Sequence, residues 1–324
     1  MTLETLSHEP EIPLPRLTRD ELAARFASDM GWPGFWEGNQ GKSIFTFLCQ
    51  AAEQCDAETI VLDISAGQCR YRPFFQHCQY VALDNTYGDP SWDYSKLDLI
   101  GDALQLPVKN ASVDVCLNFT SLEHYPDPQQ AFREFARVLK PGGRLFLYVP
   151  FVQAEHQAPY DFFRYTRYGL AHLCQQAGLA LEQLKPANGI FETALNFLGQ
   201  AISLIGPAEV QNRLREIVTT QLEPVFKAAE RVEQVAVAYP QPATIPQLPV
   251  VYCLSALRPG QHVKSARHRS RSELVRALAA CPSCKGDLDW DAGYASCTGC
   301  HARYGMRNGI PELIAKQDSS TRNG

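Results

Sequence analysis

The feature that most constrains this chain is an alternation. From about residue 43 onward, short runs that are apolar on successive residues take turns with stretches in which apolar residues recur at helical spacing. The runs are Thr59–Ile64, Tyr80–Leu83, Leu97–Ile100, Val113–Leu117, Leu145–Val149, Leu179–Leu184 and Val250–Leu257. A strand that is apolar on both faces must be covered on both, and strands that alternate with helices pair in parallel. The expected fold is therefore an α/β, doubly wound, seven-stranded and mostly parallel sheet.

The punctuation between these elements sets the organisation. A helix is predicted over Pro128–Leu139, with Asp127 as its cap and Phe132, Phe135, Val138 and Leu139 on one face, ending at Lys140-Pro-Gly-Gly143. Residues 1–42 read as an N-terminal extension whose aromatic cluster, Gly31-Trp-Pro-Gly-Phe-Trp36, docks on a main domain at 43–258. Within that domain, about 188–245 is longer than any ordinary connection and is read as an inserted helical cap. Its first helix carries Phe191, Leu195, Leu198, Ile202 and Ile205 on one face; a more charged one runs through Arg231, and Tyr239–Pro246 is a Pro-rich return. Residues 259–276, with Lys264, Arg267, Arg269, Arg271 and Arg276, read as a solvated basic linker running into a short helix; 277–316 form a small cysteine-bearing domain and 317–324 a tail.

Composition narrows the function classes. With 45% hydrophobic and 20% charged residues the chain can bury a sizeable core, and a net charge of −5 argues against a whole-protein footprint for nucleic acid. No run reaches the ~18 uncharged apolar residues of a membrane span, and the acidic, Pro-containing start does not read as a signal peptide, so a cytoplasmic protein is expected. Of eleven cysteines, four form two CxxC pairs and seven are dispersed in apolar surroundings, a pattern of reduced thiols rather than a disulfide framework.

The first chemical constellation is Val61-Leu-Asp-Ile-Ser-Ala-Gly-Gln-Cys69, an apolar strand ending in small residues that let the backbone approach a ligand. Asp84 ends the next strand, where an acid about 20 residues on can bind ribose hydroxyls. A third acid, in Gly101-Asp-Ala-Leu-Gln-Leu-Pro107, is placed to meet an adenine amine. The competing reading makes Asp84 and Asp102 helix caps. A dehydrogenase would want G-x-G-x-x-G, which is missing.

Taken in order, Asp63–Cys69, Asp84, Asp102-Ala103, the segment Asn118–His124 and Leu139–Gly143 resemble the class I, type 11-like methyltransferases that use S-adenosylmethionine, over roughly residues 57–185. The resemblance implies a Rossmann-like methyltransferase fold. It implies that Asp63, Ser65 and Gly67 surround the methionine and ribose, that Asp84 with Asn85 holds the ribose, that Asp102 and Ala103 read adenine, and that Asn118 lies near the sulfonium. Ser65 and Cys69 stand where that family commonly has glycine; a serine is tolerated if its φ stays negative, and a cysteine at positive φ carries strain.

Methyl transfer is an in-line displacement, so few obligatory catalytic residues are expected. His124 and His156, both after strand ends, are candidate bases, with Tyr160 and Asp161 beside the second; the competing account makes them structural. The pairs Cys281-Pro-Ser-Cys284 and Cys297-Thr-Gly-Cys300 are spaced to close four thiolates round a structural zinc, with a redox or iron–sulfur site as the rival. With Tyr304 and Asn308–Ile314, this piece is similar to zinc-ribbon activator subunits of tRNA and protein methyltransferases, over about 279–315, and fusion would supply in cis the cover those subunits give their partners. The leading expectation is methyl transfer to a small-molecule, glycan or lipid-linked acceptor. The alternatives are a tRNA, RNA or protein methyltransferase, or a non-catalytic binder of the cofactor.

Overall fold

The computed structural model describes residues 14–29, 39–229, 248–263 and 269–315. The cluster Gly31–Trp36, Arg231, the return Tyr239–Pro246, Lys264, Arg267 and the tail 317–324 lie outside the described residues.

Helices α1 (Arg19–Asp29) and α2 (Asn39–Glu53) precede strands β1 (Ile60–Ile64), β2 (Gln79–Asp84), β3 (Leu99–Gly101) and β4 (Val113–Phe119). Then follow α3 (Pro128–Val138), β5 (Leu139–Pro150), α4 (Arg167–Gln176) and β6 (Ala180–Pro186). The insertion carries α5 (Ile190–Leu204) and α6 (Ala208–Ile217) before β7 (Val251–Leu257) and α7 (Arg271–Leu278). Four short strands end the chain: β8 (Leu288–Asp291), β9 (Tyr294–Cys297), β10 (Arg303–Arg307) and β11 (Ile310–Leu313).

The alternation of side chains along each strand feeds two cores. Ile60, Leu62 and Ile64 of β1 and Leu145, Leu147 and Val149 of β5 face a layer with Phe132, Phe135, Leu170, Leu274 and Leu278 from α3, α4 and α7. Val61, Phe146 and Tyr148 face the opposite layer, with Phe26, Ile44, Phe47 and Leu48 from α1 and α2. This is double winding, and the period of two in a strand is what divides the residues.

The sheet departs from the expected seven strands. It has eleven, in the order β6-β7-β5-β4-β1-β2-β3-β11-β10-β9-β8. Strands β1 to β5 pair in parallel, but β7 is antiparallel to both β5 and β6, so the sheet is mixed. An apolar run records burial and not direction, which is why this was not legible. Strand β6 is largely exposed rather than covered, because it closes the far edge. Helix α3 has its expected cap, Asp127 accepting from Gln130 N, yet ends at Val138; Leu139-Lys-Pro-Gly-Gly143 opens β5 instead of forming a loop. Gly142 takes φ +77 there, its N–H donating to Arg258 O at 2.7 Å.

Two expectations about packing also change. Helix α5 does not complete the core: of its apolar stripe Ile202 is buried, Phe191, Leu195 and Leu198 are half-buried, and Ile205 just past its end is exposed. The described end of the basic segment is docked rather than solvated. Ser270 and Glu273 form a capping box, Leu274, Val275 and Leu278 are buried, and Arg271 pairs with buried Asp98.

The cysteine-bearing piece is part of the main structure. Strand β11 adds in parallel to β3, pairing Glu312 with Ile100 and Leu313 with Gly101, and so covers what would be an open sheet edge. Lys285 reaches Glu134 at 3.1 Å and Leu106 O at 3.2 Å, while Cys281, Cys297, Tyr304 and Leu313 join the α3 core layer. Leu313→Ala, at a fully buried position, is expected to cost about 2–5 kcal/mol and to lower the melting temperature of the whole chain in one transition. Calorimetry showing an unchanged main transition would contradict a shared core.

Candidate active site and cysteine cluster

The chain runs from β1 through β2 to β3 on one side, then returns to place β4 on the other side of β1. The loops leaving β1 and β4 therefore diverge, opening a crevice at their carboxyl ends, the usual ligand position in such sheets.

The turn after β1 is built from left-handed residues at alternate positions: Ser65 (φ 61), Gly67 (φ 51) and Cys69 (φ 58). Serine is thus not held at the negative φ that would let it fit without strain, and Cys69 carries the strain expected of a cysteine at positive φ. Each non-glycine residue in this region costs roughly 1–2 kcal/mol. Ser65 Oγ recovers a hydrogen bond with Tyr125 OH at 2.7 Å, and the turn is closed by Ala66 N to Leu83 O at 3.0 Å and Cys69 N to Ala66 O at 2.8 Å. Burial pushes the Cys69 thiol up to about 12, so it acts as a small apolar group.

The three acids take different positions. Asp84, buried at the end of β2, accepts from Gly67 N at 2.9 Å and from Thr86 N at 2.6 Å; its burial raises the carboxyl above the ordinary range. Asp102 is half-buried and caps the short turn Ala103–Gln105 through Leu104 N at 2.8 Å, so the capping role and a place at the crevice coexist. Asp63 lies under the turn, 1% exposed, with its carboxyl taken by the Tyr80 hydroxyl. Asn85 is half-buried and its Oδ1 accepts from Tyr87 N at 3.0 Å, while Ala103 is buried.

Trp92 went unnoticed in the sequence. Its half-buried ring walls the crevice so closely that a Cβ on Gly67 would meet it at 3.2 Å. At the end of β4, Asn118 is fully buried. Its amide nitrogen faces Ile64 O at 3.1 Å, Ser121 Oγ at 2.7 Å and Tyr125 OH at 2.7 Å, while its Oδ1 has no hydrogen-bond partner.

The loops after β4 and β5 bring the two histidines together, rings 4.8 Å apart and edge-on. His124 Nδ1 meets Tyr160 O at 2.6 Å, and His156 Nδ1 meets Ala154 O at 3.0 Å. Tyr160 joins the cluster through its backbone, its side chain being exposed. Arg164 holds Asp161 down at about 2, and Asp161 in turn accepts from His156 N at 2.9 Å. Glu123, adjacent to His124 in sequence, is 1% exposed and its Oε1 lies 3.8 Å from His124 Nε2 and 3.7 Å from His156 Nε2. Only a contact between distant loops singles it out, so no sequence signal named it.

The four C-terminal cysteines converge, their sulfurs all within 4.8 Å of one another. Sγ of Cys281 and Cys300 are 3.6 Å apart and those of Cys284 and Cys297 3.4 Å, too far for disulfides and near the roughly 3.8 Å edge of a zinc–sulfur tetrahedron. The two CxxC knuckles have the same shape: Lys285 N returns to Cys281 O and His301 N to Cys297 O, both residues at φ near +60. Burial works to raise the Cys281 thiol, but hydrogen bonds from Tyr304 OH and nearby backbone bring it down to about 6, favouring the thiolate a metal needs.

Residues 46–147 match the family model described as "Methyltransferase domain", which spans α2 through most of β5. The mouse tRNA (carboxymethyluridine(34)-5-O)-methyltransferase ALKBH8 is 28% identical over 104 residues, 31% of this chain and 16% of that protein. The 27-O-demethylrifamycin SV methyltransferase of Amycolatopsis mediterranei is 51% identical over 53 residues, 15% of this chain and 20% of its own. The chain thus spans a fifth or less of these curated relatives' length. One chain from a structure of the complex between the Haloferax volcanii Trm112 methyltransferase activator and a methyltransferase aligns over 75% of this chain and 100% of its own length, at 18% identity and a TM-score of 0.43, too low to bear on the site. The crevice lies within the matched stretch, which covers less than half of the chain. No helix among the described residues is long and apolar enough to cross a membrane.

Burial lifts the Asp63 carboxyl to about 7, against the Tyr80 hydrogen bond and the Arg72 charge, which lower it. Between about pH 4, where an unfolded aspartate ionises, and pH 7, the folded state holds a proton that the unfolded state has lost. Folding stability contributed by this group therefore falls as pH rises through that window. Denaturant titrations should show Asp63→Asn removing part of this downward slope; an unchanged slope would mean the carboxyl is already ionised at pH 4.

Proposed function

We propose that this chain transfers a methyl group from S-adenosylmethionine to a small-molecule, glycan or lipid-linked acceptor. The observation that carries the reading is the crevice between β1 and β4, in the stretch that matches a methyltransferase domain, where buried Asn118 Oδ1 has no partner. A buried acceptor left unpaired is destabilising by about 1–3 kcal/mol, and a ligand amine would satisfy it. The donor set fits the cofactor: a carboxylate with lone pairs to spare at Asp84, hydroxyls at Ser65 and Tyr125, and the Trp92 ring beside a bare glycine backbone.

In this reading Asp84 and Asn85 hold the ribose, Asp102 and Ala103 the adenine edge, and Ser65, Gly67 and Asn118 the methionine end, with Asp63 supporting the turn from beneath. The bound cofactor supplies an activated methyl on a sulfonium. The chain's own work is to orient the acceptor and exclude water. His124 and His156 stand on the loops that follow the carboxyl ends of β4 and β5, where in this reading an acceptor O–H or N–H is held and half-buried His156 receives its proton. Asp161 positions His156 through its backbone N–H, and Tyr160 positions His124 through its carbonyl.

The cysteine cluster is proposed as a structural zinc ribbon acting as cover in cis, since its β11 closes the β3 edge. A second reading, an RNA or protein acceptor, is favoured by the ribbon and by the stretch shared with a tRNA methyltransferase. A third is a binder without turnover. Calorimetry with S-adenosylmethionine followed by a labelled-methyl assay against metabolite, glycan and tRNA pools separates them.

Asn118→Ala is expected to weaken cofactor affinity at least tenfold, whereas His156→Ala should lower turnover by about 10²-fold with affinity retained. Absence of any affinity in the parent protein would overturn the proposal. Stripping the cysteine site with a strong chelator should release one zinc ion per chain and lower the melting temperature; release without a thermal shift would remove its structural role.

A further inference from the structure

A second cluster carries an assignment of its own. Glu123, His124 and His156 each offer one ligand atom, and the three atoms lie within 4.8 Å of one another. The hydrogen bonds around the rings decide which atoms these are. His124 Nδ1 lies 2.6 Å from Tyr160 O and His156 Nδ1 3.0 Å from Ala154 O; a carbonyl only accepts, so each Nδ1 carries the hydrogen. In the neutral rings both Nε2 atoms are then lone pairs, and both face the carboxylate of Glu123, at 3.8 and 3.7 Å.

Lone pairs converging on a carboxylate repel unless a positive charge lies between them. The Arg164 charge acts on Glu123 from a distance, but its guanidinium is hydrogen-bonded to Asp161, Gln153 O, Ala154 O and Phe163 O and has no hydrogen bond to the carboxylate of Glu123. Glu123 is 1% exposed, and its Oε2 has no hydrogen-bond partner, nor does His124 Nε2. A buried carboxylate oxygen left bare is among the costlier features a fold can carry. The spacings suit an ion, because ligands about 2.1 Å from a tetrahedral centre are roughly 3.4 Å apart. A Nδ1–H donated to a backbone carbonyl is also how metal-ligating histidines are held.

We infer that Glu123, His124 and His156 form a binding site for a divalent first-row transition-metal ion, separate from the four cysteines. Two imidazoles and one carboxylate leave coordination positions open, the donor set of catalytic zinc and non-haem iron sites rather than of structural ones. The cluster stands on the loops after β4 and β5, at the end of the sheet given above to the acceptor. Where the methyl-transfer reading holds, the ion would occupy the Nε2 lone pair otherwise offered as a base, and would instead select acceptors that present an oxygen to it and lower that oxygen's pKa. The site itself stands on the geometry of the cluster and does not require that reading.

The probe is Co²⁺ added to the full-length, metal-stripped chain. Thiolate-to-cobalt charge transfer reports the cysteine site, while ligand-field bands without charge transfer report nitrogen and oxygen ligands. The parent chain should bind one cobalt ion beyond the thiolate-bound one. The double variant His124→Ala/His156→Gln should lose that ion alone, and Cys284→Ser/Cys300→Ser should keep it while losing charge transfer. Single His156→Gln, at a half-buried position, should weaken it at least tenfold should the double variant fold poorly. Cobalt bound only with thiolate charge transfer, or equal binding by the parent and both histidine variants, would overturn the assignment and leave His156 paired with Glu123 as an imidazolium. Calorimetry with S-adenosylmethionine on the same preparations reads the methyl-transfer proposal independently.

Discussion

The crevice depends on one buried contact between two strand ends. Asp84 leaves β2 and accepts the N–H of Gly67, the central residue of the turn after β1. That turn asks for left-handed backbone at three alternate positions, and two of the three are occupied by side chains that resist it. What holds it is therefore not local preference but its neighbours: the Asp84 carboxylate on one side, and on the other Ser65 with Tyr125, whose hydroxyl also meets Asn118. Strain at the turn and desolvation of Asp84 are both borne by the packed sheet beneath them, a common arrangement where backbone is brought close to a ligand.

The same economy of edges explains the C-terminal piece. A parallel sheet that ended at β3 would expose a row of unpaired backbone groups, and β11 supplies their partners. Four cysteines gather in this short hairpin structure, which has too few apolar residues for a core of its own, and two of them, Cys281 and Cys297, are buried in the α3 layer. Their convergence, with Lys285 on Glu134 and Tyr304 on Cys281, links whatever they bind to the main sheet rather than to an isolated appendage. The basic stretch before it behaves likewise: Arg271 is spent on Asp98, a buried acid that also receives Arg72 and Ala82 N.

Two loops complete the crevice. Backbone bonds from Phe162 and Phe163 N to Glu123 O, and a side-chain bond from Tyr165 OH to Leu122 O, staple the segment after β5 onto the segment after β4. This stapling turns two histidines thirty-two residues apart into ring neighbours and closes a buried carboxylate between them.

Much of this was written in the linear order of residues. Successive apolar residues located β1 to β5 and β7, since burial on both faces leaves that local mark, and β6 was located although it is largely exposed. Acids following strand ends located Asp84 and Asp102, and CxxC spacing located the four sulfurs, because both are short-range patterns. Strand direction, the addition of β11 to β3, the positive φ of Ser65 and the meeting of Glu123 with His124 and His156 were decided by tertiary structure alone. Each depends on contacts between segments far apart in the chain, and neither hydrophobic periodicity nor residue type carries the sign or the partner of such a contact.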